Sequence, residues 1–187
     1  MAKYHIEPVR QPLSVGTGSR RRLEERLGLR FPRALAFVAR ALLRLSPRSR
    51  LRRAILRRVA ESAFASANRG DHEATFMLYS PDVEAVFPPE LPTVGREGGT
   101  RGIQERLAFQ RTWMAEWGGF EFHPDELVDF GDGRLLMIGR VRGSGLSSGA
   151  GFDNEWTGLF TMSRGEVTRE QVWFSHEEAL RATGLAG

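Results

Sequence analysis

Residues 46–71, SPRSRLRRAILRRVAESAFASANRGD, decide the fold. Ser46 reads as a helix cap with Pro47 at the first helical position, where a missing N–H costs nothing. Leu51, Ile55, Val59, Ala63 and Ala67 then recur every four residues, and Leu56, Ala60 and Phe64 widen the stripe. Arg48, Arg52, Arg53, Arg57 and Arg58 lie largely off it. The pattern predicts a long amphipathic helix whose N-terminal half has a solvated basic face. Gly70 supplies the permissive backbone that ends it, and Asp71 caps a second helix reaching about Tyr79.

Working toward the C-terminus, Asp82–Phe87 reads as a short strand. Pro88, Pro89, Pro92, Gly95, Gly98 and Gly99 make a long loop. Thr100 caps a third helix over Ile103–Trp117, with Ile103, Leu107, Gln110 or Arg111, and Met114 at helical spacing. From Phe120 the period falls to two. The runs 120–129, 134–143, 152–162 and 166–174 are strand-like, and Gly131-Asp132-Gly133 and Ser163-Arg164-Gly165 read as hairpin turns. His176–Thr183 is a terminal helix closed by Gly184. Helices first and strands last predict an α+β fold, with helices covering one face of a curved antiparallel sheet.

Toward the N-terminus, residues 1–19 form an irregular arm, Arg20–Leu27 a short charged helix, and Ala34–Leu45 a helix opened by Pro32. The chain divides at this point into a basic arm and helical extension, 1–46, and a main domain, 47–187. Residues 1–69 hold 17 Lys/Arg against 4 Asp/Glu, while 70–187 hold 10 against 19, so local charges of +13 and −9 sum to +4. A basic segment of this kind suits nucleic acid, an anionic membrane surface, or the acidic half of its own chain. No aromatic residues interleave the arginines and no nucleic-acid motif appears, which favours the last reading over a phosphate-binding stripe. The longest apolar run, Ala34–Leu45, contains Arg40 and Arg44 and falls short of the ~20 residues of a membrane span. The first 19 residues lack the apolar core of a signal peptide, so a cytoplasmic location is the default expectation. The absence of cysteine excludes disulfides, thiolate metal sites and a cysteine nucleophile. Neither a metal nor a cofactor is expected.

Several local motifs appear in a telling order. Ala67-Asn68-Arg69-Gly70-Asp71 precedes Leu78-Tyr79-Ser80-Pro81-Asp82-Val83. Thr100-Arg101-Gly102-Ile103 opens a helix, Ile138-Gly139-Arg140-Val141-Arg142-Gly143 lies in a strand, and Glu177-Glu178-Ala179-Leu180 comes before Gly184-Leu185. In this order they resemble the NTF2-like superfamily, SnoaL-like domain, over about residues 50–185. The resemblance implies a cone, with the curved sheet wrapped around the helices, and often a homodimer through the exposed sheet face. It leaves the activity open, because such domains isomerise steroids, cyclise polyketides, dehydrate, hydrolyse epoxides or bind without catalysis.

The isomerase pattern of this family can be followed by position. Its general-base aspartate matches Phe87, its tyrosine falls near Ala63, and its protonated aspartate falls near Gly158. That mechanism is therefore not expected. The four histidines lie in different elements, with His72 and His176 read as solvated, so the histidine pairs of cyclases and dehydratases find no match either. In 152–162 the even residues Phe152, Trp156, Phe160 and Met162 are apolar, which turns that set inward and carries Asn154 with it. In 135–142 the parity is ambiguous. Family alignment turns Leu136, Ile138 and Arg140 inward, whereas apolarity favours Leu135, Met137 and Val141.

An inward Arg140 needs an acidic partner, because an unpaired buried guanidinium is very costly. Glu126 and Glu170 on neighbouring strands are the candidates, and His123 is the remaining catalytic candidate. The other reading puts Arg140 on the outer face. Tyr79, Phe87, Trp113, Trp117, Asn154, Trp156, Phe160 and Phe174 are the candidate ligand-binding residues, although aromatics at such spacing also serve as plain core. Two functions follow. One is a small-molecule-binding protein for an apolar or anionic ligand, with isomerase, cyclase or hydrolase chemistry in an apolar pocket. The other is a non-catalytic dimeric interaction module with a basic helical extension.

Overall fold

In the computed structural model, which describes residues 7–16, 20–89, 98–115, 117–146 and 149–186, the long helix runs over Arg50–Asn68 (α3). It begins later than Ser46 implies, because the Ser49 hydroxyl oxygen accepts the Arg52 N–H (3.4 Å). Ser46 Oγ closes the preceding turn on the Arg48 N–H instead (3.3 Å). Asp71 does cap a second helix by accepting the Ala74 N–H, but that helix spans only His72–Thr75 (α4). Tyr79 therefore opens the next strand instead of ending a helix, and that strand runs over Tyr79–Val86 (β2).

The N-terminal residues join the same structure. Val9–Pro12 is a strand (β1) within what reads as an irregular arm, and it pairs with Trp117–Asp129 (β4), Arg10 opposite Val128. Leu23–Arg30 (α1) and Pro32–Leu43 (α2) meet at Phe31. Glu25 of α1 is fully buried, where it accepts hydrogen bonds from Ser62 and Arg69 of the α3 region. Arg52, read from its position as part of a solvated basic face, is fully buried as well. Its guanidinium grips Asp129 of β4 and donates to the carbonyls of Leu43 and Leu45. Those carbonyls have no helical partner of their own at the end of α2, and one side chain satisfies them while fixing α2 and α3 to the sheet.

Gly99–Arg101 (β3) adds a short edge strand, so Thr100 lies in a strand and not at a helix cap. Most of the loop read over 88–99 lies outside the described residues. The third long helix covers Ile103–Ala115 (α5), and Trp117 begins β4 instead of ending that helix. Arg134–Gly145 (β5), Gly151–Ser163 (β6) and Glu166–Trp173 (β7) follow as hairpins, and His176–Thr183 (α6) closes the chain with Gly184 in the left-handed region.

The strands form one sheet in the order β1-β4-β5-β6-β7-β2-β3. All neighbours are antiparallel except β2 and β7, which makes the curved sheet mixed. Register shifts in β4, between Gly118 and Glu121 and between Pro124 and Glu126, bend it. At the bend the Asn68 side chain pairs with both backbone groups of Phe122, donating to its carbonyl (2.9 Å) and accepting its N–H (2.7 Å). That is a physical reason for an asparagine in the Ala67–Asp71 motif. The result is an α+β cone of the NTF2-like type.

Apolarity, not family alignment, decides the parity of β5. Leu135, Met137 and Val141 join the main core with Trp156, Phe122 and Phe64, between the sheet and α3. Leu136 and Ile138 sit on the other face with Val128 and Phe130, packed against Leu180 and Leu185 at the C-terminal end. Gly165 in the β6–β7 turn has φ +89°, and an added Cβ would stand 1.9 Å from the Ala36 carbonyl oxygen. That close approach docks the backbone of α2 onto the hairpin.

Candidate functional site

Between α3 and the sheet the side chains do not fill the space. The face that α3 turns to the sheet is made partly of Ala60, Ala63 and Ala67, opposite the large walls of Phe122, Trp156 and Phe160. Alanines facing aromatics leave a cavity of about 180 Å³. The side of α2 that carries Leu35, Ala39, Leu42 and Leu43 forms part of its lining. The wall is apolar apart from Thr75, Tyr79, Arg106, Gln110 and Glu170.

Four of these polar residues form one network. Glu170 of β7 lies opposite Phe160 in one neighbouring strand and Ala85 in the other, so it shares their inner face. Arg106 and Gln110 stand one turn apart on α5, on the side that faces it. Arg106 donates from Nε to Glu170 Oε2 (2.7 Å) and from Nη2 to Oε1 (3.0 Å), and both partners are buried. Its Nη1 donates to Gln110 Oε1 (2.9 Å). The Tyr79 hydroxyl donates to Glu170 Oε2 (3.2 Å). Aromatic faces enclose the guanidinium, with its carbon 4.7 Å from the Phe76 ring centre and 5.3 Å from that of Phe87.

Burial opposes the charge on Arg106, but the Glu170 carboxylate outweighs it, so the guanidinium holds its proton more tightly than in water. Burial, reinforced by the Glu170 charge, pushes the Tyr79 phenol well above its ordinary value and keeps it a neutral donor. A guanidinium carries five N–H groups, and the contacts above engage one on each nitrogen. The remaining two have no partner among the described residues. With its oxygen turned to Arg106, Gln110 also keeps its amide N–H groups available. The cluster is a charge-neutral set of unsaturated donors at the edge of an apolar cavity.

The candidates from sequence divide accordingly. Glu170, Tyr79, Trp156 and Phe160 line the cavity. Phe87 is buried beside Arg106 and stacks on Phe109 at 4.4 Å. Trp113 packs edge-on against Phe120, and Phe174 packs against the core. Trp117 meets Phe152 at 4.6 Å, with its indole N–H buried and unpartnered among the described residues. None of these last four, Phe87, Trp113, Trp117 and Phe174, lines the cavity.

Arg140, Glu126, His123 and Asn154 are not brought to it either. Arg140 lies on the outer face and donates to Asp153 (2.6 Å), as the parity of Leu136 and Ile138 requires. Glu126 pairs with Arg10 (2.9 Å) and His123 approaches Glu121 (3.3 Å), all partly open to solvent. Asn154 stands opposite the inward Val141 but is exposed. His72 is half-buried, with Nδ1 buried and unpartnered among the described residues. Desolvation and the nearby Arg111 charge lower its pKa. His176 is mostly covered and its Nε2 lies 2.8 Å from the Gly139 carbonyl.

Sequence reasoning missed Arg106 and Gln110 as site residues. The signal was an arginine and a glutamine at i, i+4 on the helix covering an inward glutamate, a spacing that puts both on one helix face. Among the described residues no group of three or more His, Asp or Glu side chains is arranged to hold a metal ion.

No curated protein matches the sequence. The fold has solved relatives. The chain is similar to an NTF2-like protein of unknown function from Burkholderia pseudomallei, 20% identical over 66% of this chain and 93% of that one, TM-score 0.57. It is similar to TerC, co-crystallised with polyporic acid, at 23% identity over 68% and 95%, TM-score 0.55. A third is a protein with a ketosteroid isomerase-like fold from Catenulispora acidiphila, in complex with trimethylamine, at 15% identity over 68% and 92%, TM-score 0.54. At these identities the shared feature is the fold. The family model of the SnoaL-like domain matches residues 60–170, which run from the middle of α3 to Glu170 itself, and the chain belongs to that family.

Proposed function

We propose that this SnoaL-like chain binds an apolar small molecule in the cavity and anchors a carbonyl or anionic oxygen of it on Arg106, Gln110 and Tyr79. The observation that carries this reading is the buried Arg106–Glu170 pair, which keeps unengaged donors at the edge of an otherwise apolar pocket. A dry cavity of about 150 Å³ accommodates a benzene-sized molecule, so 180 Å³ suits a ring carrying one oxygen substituent. The same donors would stabilise negative charge developing on a carbonyl oxygen, the step shared by isomerases and cyclases. Glu170 is the one carboxylate among the described lining residues and the candidate for proton transfer.

Single-ring aromatic ketones and aromatic carboxylates are the first probes. Replacing Arg106 by Met together with Glu170 by Leu removes the charges as a pair and leaves no buried charge unpaired. Calorimetric titration of a bound probe should show affinity falling at least tenfold in this double variant. Unchanged affinity with an unchanged melting curve would remove the cluster from the binding site.

A second reading, a dimeric module without chemistry, draws on the outer face. There Arg140 and Arg142 flank Asp153 in a ladder of opposite charges that a two-fold axis could repeat. A single-protomer mass by light scattering would exclude it.

A further inference from the structure

The segment from Leu23 to Leu45 buries one side and leaves another uncovered. On α2 the side bearing Leu35, Ala39, Leu42 and Leu43 faces the cavity. Ala34, Phe37 and Ala41, with Leu45 just beyond the helix, recur at spacings of three to four residues and form a separate apolar stripe, and Val38, which also lines the cavity, lies at its border. Phe37 is 72% exposed and Val38 53%. Arg33, Arg40 and Arg44 run along one flank of that stripe, all exposed. On α1 the pattern repeats. Leu23, 69% exposed, and Leu27 stand four residues apart beside Arg26 and Arg30, and the exposed Phe31 joins the two helices. None of these five arginine side chains has a hydrogen-bond or ion-pair partner among the described residues.

Exposed large apolar side chains grouped in this way and rimmed by charge mark an interaction surface, and the arginines select the partner. A second copy docked through the same face would set its arginines against these, like charge on like. A nucleic acid would engage the arginines and leave Leu23, Leu27, Phe37 and Val38 in water. An anionic bilayer uses both, because phosphate headgroups meet the arginines while the leucines and phenylalanines enter the acyl boundary beneath. No helix among the described residues is long and apolar enough to cross a membrane, so the contact is interfacial. We propose that α1 and α2 form a peripheral docking face for anionic phospholipid membranes.

The chain lacks cysteine, so Phe37→Cys carries an environment-sensitive fluorophore at a single place. It is to be mixed with vesicles of phosphatidylcholine alone and of equal parts phosphatidylcholine and phosphatidylglycerol. The emission should shift to the blue with the mixed vesicles only, and high salt should weaken the response. Replacing Arg33, Arg40 and Arg44 by Gln should lower partitioning about a hundredfold, since each cation near such a surface contributes about fivefold. Leu27→Ser with Phe37→Ser should lower it about tenfold or more in co-sedimentation of the unlabelled chain. All these positions are exposed, and unchanged melting temperatures verify the fold. The proposal is overturned by any of three results. One is no shift with either vesicle at low salt. Another is vesicle binding that leaves the label unshifted, with or without tighter binding to duplex DNA. The third is a blue shift that grows with protein concentration in the absence of lipid, which assigns the face to a second copy.

Discussion

Arg52 and Arg106 are both buried, and each holds one carboxylate with two parallel hydrogen bonds, yet the two pairs are built for different ends. Arg52 turns its remaining nitrogen onto the carbonyls of Leu43 (2.7 Å) and Leu45 (2.6 Å), and its partner Asp129 also accepts the Gly131 N–H (2.9 Å). That network is filled from three directions by backbone, and it joins α2, α3 and β4. Arg106 leans on Glu170 and one amide oxygen, has aromatic faces around it, and borders a cavity. Burial and ion pairing are common to both. What separates a brace from a site is how many donors remain unengaged, one on Arg52 against two on Arg106, and whether there is space in front of them.

The largest expected effect comes from breaking the brace. Arg52→Met leaves Asp129 buried without its cation and two helix-terminal carbonyls unbonded. Loss of one partner of a buried pair costs about 3–5 kcal/mol, and the carbonyls add to that. Denaturant unfolding of Arg52→Met should show a loss at the top of this range or beyond it. A loss below about 1 kcal/mol would mean that water replaces the guanidinium and that the brace is dispensable.

The next effect sharpens the contrast. Paired apolar replacement of a buried ion pair is often close to neutral when nothing else depends on it. Arg106→Met with Glu170→Leu meets that condition, apart from the Gln110 oxygen and the Tyr79 hydroxyl, and should change stability by no more than about 2 kcal/mol. Arg52→Met with Asp129→Leu does not, because the backbone groups of Leu43, Leu45 and Gly131 each lose a side-chain partner. Its unfolding midpoint should fall well below that of the first double variant. Equal losses would erase the distinction drawn between the two pairs.

Much of this arrangement was legible in the sequence, through periodicity. The four-residue recurrence over Leu51–Ala67 identifies α3, and alternation over Phe152–Met162 places Trp156 and Phe160 inward. Glu170 and Tyr79 were among the candidates. The partner of Glu170 was sought on the sheet at Arg140, whose parity stayed open between family alignment and apolarity, and Leu136 and Ile138, which share that parity, pack on the outer face. Arg106 stayed hidden because a charged residue is discounted when an apolar helix face is sought. The face chosen on α5, with Ile103, Leu107, Gln110 or Arg111, and Met114, touches Gln110 but leaves out Arg106 on its flank. Arg52 was misread for the same reason. An arginine at a buried position looks like a solvated one until its acceptors are known, and these lie far away in sequence.

The smallest effect at neutral pH belongs to Tyr79, which has no counterpart in the Arg52 network. Tyr79→Phe removes one hydrogen bond to Glu170 and should cost about 0.5–1.5 kcal/mol. The pH dependence is more telling. The folded protein holds the Tyr79 proton well above the ordinary phenol value, so as pH rises the unfolded chain releases it first. Stability is then complete below the unfolded value and falls as pH climbs from there toward the folded one. The chain has two tyrosines, so ultraviolet titration of the native protein should show tyrosinate absorbance delayed for one of them, and Tyr79→Phe should remove that delayed step. The variant should also lose less stability than the parent between neutral and strongly alkaline pH. Ordinary titration of Tyr79 would mean that water reaches the hydroxyl freely, and the cluster around Arg106 would then be a wet surface pair and not the enclosed site that contrasts with Arg52.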